Sequence, residues 1–335
     1  MSSLTDITEQ ESLVKVTNLK KYFKVSNKNY LHAVDDVSFD VYPGETLGLV
    51  GESGCGKTTV GQLIMRLHTR TGGQLHFRGK DVFAAKGADD LELRKNMQII
   101  FQDPYSSLNP RKTIQSIMSE PFIIHKYARG TIDSEIERLC EMVDFSRDLL
   151  SCYPHELDGG MRQVVGIARA LSLSADFIVC DEPVSSLDVS VQARIINLLM
   201  DLQKRLGVSY LFISHDLSVV RHISNRIAIM YLGQIVELAE TDEIFANASH
   251  PYSIALLSAI PRVDQALRTS RIILKGDVPS PMNPKPGCRF APRCWMSSEE
   301  CFTENPQSVE IAPGHFVSCP YAYDSKERMK TAEKN

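Results

Sequence analysis

The sequence predicts an α/β fold, because strand-like and helix-like patterns alternate along it and the strands read as continuous apolar runs. Three of these runs, MQIIFQDP, DFIVCDEP and SYLFISHD, finish in polar residues. Such runs suit parallel strands covered on both faces, with their functional ends at one edge of the sheet. A fourth, ETLGLV from Glu45 to Val50, leads into the glycine-rich GESGCGKTT. TTVGQLIMRLH then sets Val60, Leu63, Ile64 and Leu67 at helical spacing, giving strand, loop and helix in order.

Between Asn109 and Pro154, IQSIMSEPFIIHKY and SEIERLCEMVDF are helical in pattern and contain no strand signal, so a helical insertion is expected over about 109–156. After Arg226, IAIMYLGQIVE reads as two short strands around Gly233. The composition shifts at His250. Pro279, Pro281, Pro284, Pro286 and Pro292 surround a group of cysteines, which predicts an irregular, loop-rich appendage over 250–322. The main domain would then span 1–249, and the chain end, 323–335, reads as a solvated tail.

Composition narrows the partners more than the fold. Charged residues make up 23% of the 335, with a net charge of −4, so nothing supports nucleic acid as an obligate partner. The polar, acidic start MSSLTDITEQESLV lacks a basic stretch followed by an apolar one, and no secretory signal is expected. Apolar runs such as IAIMYL fall far short of the roughly 20 residues that span a bilayer. Any membrane role must come through a partner.

GESGCGKTT satisfies G-x-x-x-x-G-K-[ST] and has the required strand before it and helix after it. In such a loop the glycines let backbone N–H groups approach phosphate oxygens, the lysine reaches the β- and γ-phosphates, and the hydroxyl holds Mg²⁺. Gly51, Ser53, Gly54, Cys55, Gly56, Lys57, Thr58 and Thr59 are the candidate cradle, with Lys57 and Thr58 in those two roles. FIVCDE supplies Asp181 to reach the metal, and Glu182 to polarise an attacking water.

Taken together, the phosphate loop, Gln102 at the end of IIFQDP, LDGGMRQ, the acidic strand, SSLD and SHD resemble the ATP-binding subunit of an ABC transporter, in that family's order from Val14 to about Glu240. The resemblance implies a P-loop NTPase, RecA-like core with an antiparallel β subdomain and the helical insertion. It implies ATP and Mg²⁺ as ligands. Gln102 would contact Mg²⁺ and the lytic water, His215 would hold the γ-phosphate, Asp188 would cross a dimer interface, and Phe23 in LKKYF would stack on adenine.

In this family two subunits sandwich two ATP molecules, each lying between one chain's phosphate loop and the other's signature. Here Gly159 and Gly160 are present, but Asp158 stands in the signature serine's place and Met161 follows where an amide is expected. Aspartate is a good helix cap and a poor phosphate ligand, since two like charges about 4 Å apart repel by about 4 kcal/mol at an effective dielectric near 20. A neighbour such as Arg162 would reduce that. The expectation is a heterodimer with a second ATPase subunit, holding one competent and one degenerate ATP site.

HPYSIALLSAIPR and LKGDVPSPMNPKPGCRFAPRC resemble the C-terminal extension of ATPases from oligopeptide, dipeptide and nickel importers. Peptide import is the expectation, with nickel or another small solute as alternative and a nucleic-acid-acting ABC-type ATPase as the reading from another class. The resemblance further implies two transmembrane permease subunits, indirect work with an extracytoplasmic substrate-binding protein, and a peripheral place on the cytoplasmic face of the inner membrane. Cys288, Cys294, Cys301 and Cys319 can hold tetrahedral zinc or an iron–sulfur cluster, and their spacing matches neither a common zinc finger nor a ferredoxin run. The resemblance favours a 4Fe-4S cluster, with zinc the alternative.

Overall fold

A computed structural model describes residues 11–260 and 272–323. The expected tail, DSKERMKTAEKN, lies outside them, as does most of the polar N-terminus. The first elements among the described residues are β1 (Val14–Lys24), β2 (Tyr30–Val41), β3 (Thr46–Val50), α1 (Lys57–Ile64), β4 (Gly72–Phe77) and β5 (Lys80–Asp81). Next come α2 (Ala88–Asn96), β6 (Met97–Ile100), α3 (Pro104–Ser107), α4 (Ile114–Ile124), α5 (Arg129–Met142) and α6 (Gly159–Leu171). The central part closes with β7 (Phe177–Asp181), α7 (Val189–Leu206), β8 (Ser209–Ser214), α8 (Leu217–Ile223), β9 (Arg226–Tyr231) and β10 (Gln234–Glu240). Finally α9 (Thr241–Asn247) and α10 (Pro251–Ser258) precede a hairpin of β11 (Val309–Ala312) and β12 (His315–Val317).

Two sheets form. One is antiparallel, in the order β2-β1-β4-β5; the other runs β11-β12-β10-β9-β3-β8-β7-β6. Within the larger sheet β6, β7, β8, β3 and β9 are parallel neighbours. Their sequences are apolar throughout because alternate side chains feed two different cores. Ile178, Cys180, Tyr210 and Phe212 face the cluster built with α4–α8, whereas Phe177, Val179, Leu211 and Ile213 face the cluster under the antiparallel sheet and α1. The α/β expectation and its antiparallel subdomain are both met.

Helix ends follow local chemistry. Asp158, Asp188 and Asp216 each accept a backbone N–H at the start of α6, α7 and α8. Gly207 ends α7 in the left-handed region at φ 71°, behind Lys204 and Arg205 in the last turn. In the 109–154 stretch only helical elements occur among the described residues.

The appendage after His250 is less irregular than its prolines suggest. β12 pairs antiparallel with β10, so the hairpin lengthens the main sheet and covers what would be its edge. Buried charge fastens it there: His315 Nε2 lies 2.8 Å from Glu237 Oε1, and Nδ1 lies 3.3 Å from Glu243 Oε1. Glu237 also accepts the backbone N–H groups of Ser249 and His250. Burial alone would lower the His315 pKa, but the hydrogen bonds and charges of Glu237 and then Glu243 outweigh it and the net direction is upward from 6.5. His250, fully buried, goes the other way, down to about 4, and its neutral Nδ1 accepts the Tyr252 N–H at 3.1 Å.

A histidine raised in the folded state contributes stability that is complete below its ordinary pKa of about 6.5 and disappears as pH rises through the folded value. Urea denaturation of wild type and His315→Gln across about pH 6 to pH 9 should therefore show a stability difference that shrinks with rising pH. A difference that grows instead would mean His315 is neutral in the folded chain.

Candidate functional site

Parallel pairing brings four strand ends to one edge, and a cavity of about 800 Å³ opens there. The phosphate loop follows β3, Gln102 follows β6, Glu182 follows β7 and His215 follows β8. Of the candidate residues, Phe23, Ser53, Gly54, Cys55, Gly56, Lys57, Thr58, Thr59, Gln102, Glu182 and His215 line the cavity. Gly51 and Asp181 do not line it; they stand behind those that do.

Steric demand explains two of the loop's glycines. A Cβ on Gly56 would come within 2.1 Å of the Ala33 carbonyl oxygen, and its φ is +109°. One on Gly51 would come within 2.1 Å of the Met230 carbonyl oxygen. Lys57 is 4% exposed and its ammonium donates to the carbonyls of Gly51 at 2.8 Å and Glu52 at 3.0 Å, so the loop folds around its own cation. α1 begins at Lys57, which puts the unpaired N–H groups of a helix start at the cavity.

Thr58 Oγ1 donates to Asp181 Oδ1 at 3.0 Å. Burial pushes the Asp181 carboxyl up from its ordinary value, with Thr58 and Lys57 pulling against it and Glu182 adding to it. Three other groups converge beside this pair: Gln102 Nε2 donates to Glu182 Oε2 at 3.1 Å, and His215 Nδ1 lies 3.2 Å from the same oxygen. Glu182 holds a left-handed backbone, φ 45°, at the end of β7, a conformation that costs a non-glycine residue about 1–3 kcal/mol and recurs where function fixes a side chain.

Phe23 reaches the cavity whereas Tyr22 turns inward, stacked on His32 at 3.8 Å and hydrogen-bonded to Asp35. The sequence reading missed Leu31, His32 and Ala33 of β2, together with Gly233 and Pro281. Pro281 comes from the appendage: His32 N–H donates to its carbonyl, and Met282 bridges Leu31. No local signal in the sequence marks a contact across some 250 residues.

Asp158, Gly159, Gly160, Met161 and Asp188 lie outside this cavity. Asp158 spends an oxygen on the Met161 N–H at 2.7 Å, as a helix cap. Arg162 is engaged elsewhere: its Nε and Nη2 donate to the Leu157 carbonyl, at 2.9 and 2.7 Å, and its guanidinium sits over Tyr105. Gly160 has a packing reason to be glycine, since a Cβ would meet Val191 of α7 at 2.7 Å. Asp188 caps α7 through Val191 N–H, and hydrogen bonds, from Ser190 first, hold its carboxyl below the ordinary range.

Cys288, Cys294, Cys301 and Cys319 line one small pocket together with His250 and Phe290. Desolvation pushes three of these thiols up: Cys288, Cys294 to about 12 and Cys319 to about 11. Among the described residues, however, no three His, Cys, Asp or Glu side chains are gathered closely enough to hold a metal ion as they stand. The donor set of the expected metal centre shares a wall without closing into a coordination shell.

The glycines allow a graded test. Gly54 is left-handed at φ +78° with open space around it, so Gly54→Ala should cost only the conformational strain of about 1–3 kcal/mol. Gly56→Ala adds a backbone clash, and should lower the melting temperature further and abolish binding of a fluorescent ATP analogue. Equal behaviour of the two variants would show that the loop yields at Ala33.

Residues 34–185 match the family described as ABC transporter, and residues 236–301 match the one described as oligopeptide/dipeptide transporter, C-terminal region. The putative oligopeptide transport ATP-binding protein YkfD of Bacillus subtilis is 48% identical over 95% of this chain and 98% of its own length. The oligopeptide transport ATP-binding protein AppF of the same species is 47% identical over 92% of this chain and 97% of its own. A solved dimer of the ATP-binding cassette MJ0796, in a post-hydrolysis state with ADP and Pi, superposes with a TM-score of 0.60 at 26% identity, covering 68% of this chain and 98% of that one. Phosphate loop, acidic strand end and C-terminal region thus agree with one another, and the chain belongs to the ABC transporter ATPases, in the group that carries the oligopeptide/dipeptide transporter C-terminal region.

Proposed function

We propose that this chain powers the import of dipeptides and oligopeptides as one of two different ATPase subunits bound to a pair of transmembrane permeases, with an extracytoplasmic binding protein delivering the cargo. The observation that carries the reading is the single cavity that gathers the phosphate loop with Gln102, Glu182 and His215. Peptide cargo is favoured over nickel or other small solutes by the C-terminal region and by the names of the relatives that share it. No helix among the described residues is long and apolar enough to cross a membrane. In this reading the chain attaches to the cytoplasmic face through the permeases.

In this reading Phe23 stacks on adenine and the loop from Gly51 to Thr59 cradles the phosphates, with Lys57 turning from the loop carbonyls toward the β- and γ-oxygens. Thr58, Asp181 and Gln102 would hold Mg²⁺, which would supply neutralisation of the charge developing on the phosphates. The upward push on Asp181 is the burden such a cation relieves. Glu182 accepts a proton from the attacking water, Gln102 orients that water, and His215 is positioned by Glu182 to meet the γ-phosphate.

Asp158 faces the partner's nucleotide and makes that site the weak one, while Asp188 crosses the dimer interface. The capping bond to Met161 fixes the carboxylate at the start of α6, so the negative charge stays where a phosphate would approach. The four appendage cysteines would hold a 4Fe-4S cluster, or zinc as the alternative, once drawn together around it. Their shared pocket supports this, and a metal would reverse the upward shift of Cys288, Cys294 and Cys319 by favouring thiolate. Iron, acid-labile sulfide and zinc measured per chain after anaerobic purification would decide between them.

ATP hydrolysis by the assembled transporter carrying Glu182→Gln in this chain should fall by about 10²–10⁴-fold. Retained turnover would place hydrolysis at the site facing Asp158. Asp158→Ser keeps a helix cap of equal quality, so folding should be unaffected while ATP affinity at the partner's site rises about tenfold or more. No change in either stoichiometry or affinity would sink the account of a degenerate site.

A further inference from the structure

The phosphate loop is gripped from outside the nucleotide domain. Glu52, its second residue, is held at two places by side chains from beyond residue 249. Its backbone N–H donates to the Tyr252 hydroxyl at 3.0 Å, Tyr252 being fully buried on α10. Its carboxylate receives Arg293 Nη1 at 3.0 and 3.3 Å, and the same nitrogen lies 3.4 Å from the Tyr231 hydroxyl. Arg293 is 9% exposed at its side chain against 30% for Glu52. Tyr231, Tyr252 and Phe290 pack together with ring centroids 4.6 to 5.4 Å apart, so both grips come from one aromatic platform.

From Glu52 the contacts lead straight to the loop's cation. The Glu52 carbonyl accepts Lys57 Nζ at 3.0 Å and the Cys55 N–H at 3.3 Å. One residue is therefore shared by the appendage and by the lysine at the centre of the cradle. We infer that Arg293 and Tyr252 are positioning residues for ATP binding, acting through Glu52 to hold the phosphate loop in its anion-cradling shape. Neither residue lines the nucleotide cavity. The inference rests on the proposed reading that this loop binds the phosphates of ATP.

The physical need for such an anchor comes from the glycines. Gly54 and Gly56, both at positive φ, give the loop many alternative shapes. A ligand that binds only one of them has an apparent affinity reduced by the fraction of time that shape is present. Fixing Glu52 at backbone and side chain removes part of that freedom before the ligand arrives.

Titration of the purified full chain with a mant-labelled ATP tests this. Arg293→Met and Glu52→Gln should each weaken binding by about three- to tenfold, and the double variant should be no weaker than the poorer single. Arg293→Lys should restore most of the affinity, because each bond that Arg293 makes to Glu52 runs through one nitrogen. Disturbance of the appendage alone would not be reproduced by Glu52→Gln, which leaves every appendage side chain in place. Wild-type binding by Glu52→Gln, or additive losses in the double variant, would overturn the inference. Lys57→Ala separates the two levels. Binding lost in Lys57→Ala but intact in the Arg293 and Glu52 variants removes this inference alone, and binding retained in Lys57→Ala removes the loop reading with it.

Discussion

Parallel register is the constraint on which the rest of the molecule depends. Val50 pairs with Ser214, Asp181 with Ile213 and Ile100 with Cys180, so residues far apart in the chain leave the sheet in one row. The register is held by burial on both faces. Each fully buried side chain of these strands is worth about 1.5–3 kcal/mol, and a slip of one residue would send each of them into the opposite core. Lys57, Gln102, Glu182 and His215 are neighbours because the cores forbid any other pairing.

Much of this was legible because the strands carry their own punctuation. Continuous apolar runs ending in QDP, DEP and SHD gave both the strand type and the functional end. What was not legible falls into two classes. β1, β2 and β4 are partly exposed and irregular, with register shifts between β1 and both of its partners, so no clean alternation marks them outside the family resemblance. The hairpin of β11 and β12 is only four and three residues long in a proline-rich setting, and its pairing with β10 is decided by buried contacts such as His315 to Glu237 rather than by local propensity. Among site residues, His32, Gly233 and Pro281 were missed for the same reason: tertiary contacts bring them to the cavity.

At Asp158 the demands of the fold and the charge of the side chain can be separated. For α6 the residue needs only an oxygen that reaches the Met161 N–H, and serine or aspartate does this about equally well. Capping alone therefore gives no reason to prefer the carboxylate, and its charge at the start of a helix adds only about 0.3–1 kcal/mol. The larger difference between the two lies in the charge presented to anything approaching from outside the chain. Arg162 could have cancelled that charge, but its guanidinium is committed to the Leu157 carbonyl and the Tyr105 ring.

The strand order also explains why an appendage should bear on the phosphate loop at all. β10 is two places from β3 in the sheet, separated only by β9. Neighbouring strands lie about 4.8 Å apart, so whatever docks on the open edge of β10 starts within about 15 Å of the loop that follows β3. An open edge must be covered in a stable sheet, and β12 covers this one. The chain leading to it passes the loop at Tyr252 and again at Arg293. Edge protection thus places an arginine beside Glu52, and any group that tightens the adjacent cysteine pocket at Cys288 and Cys294 acts on a segment already joined to the nucleotide site.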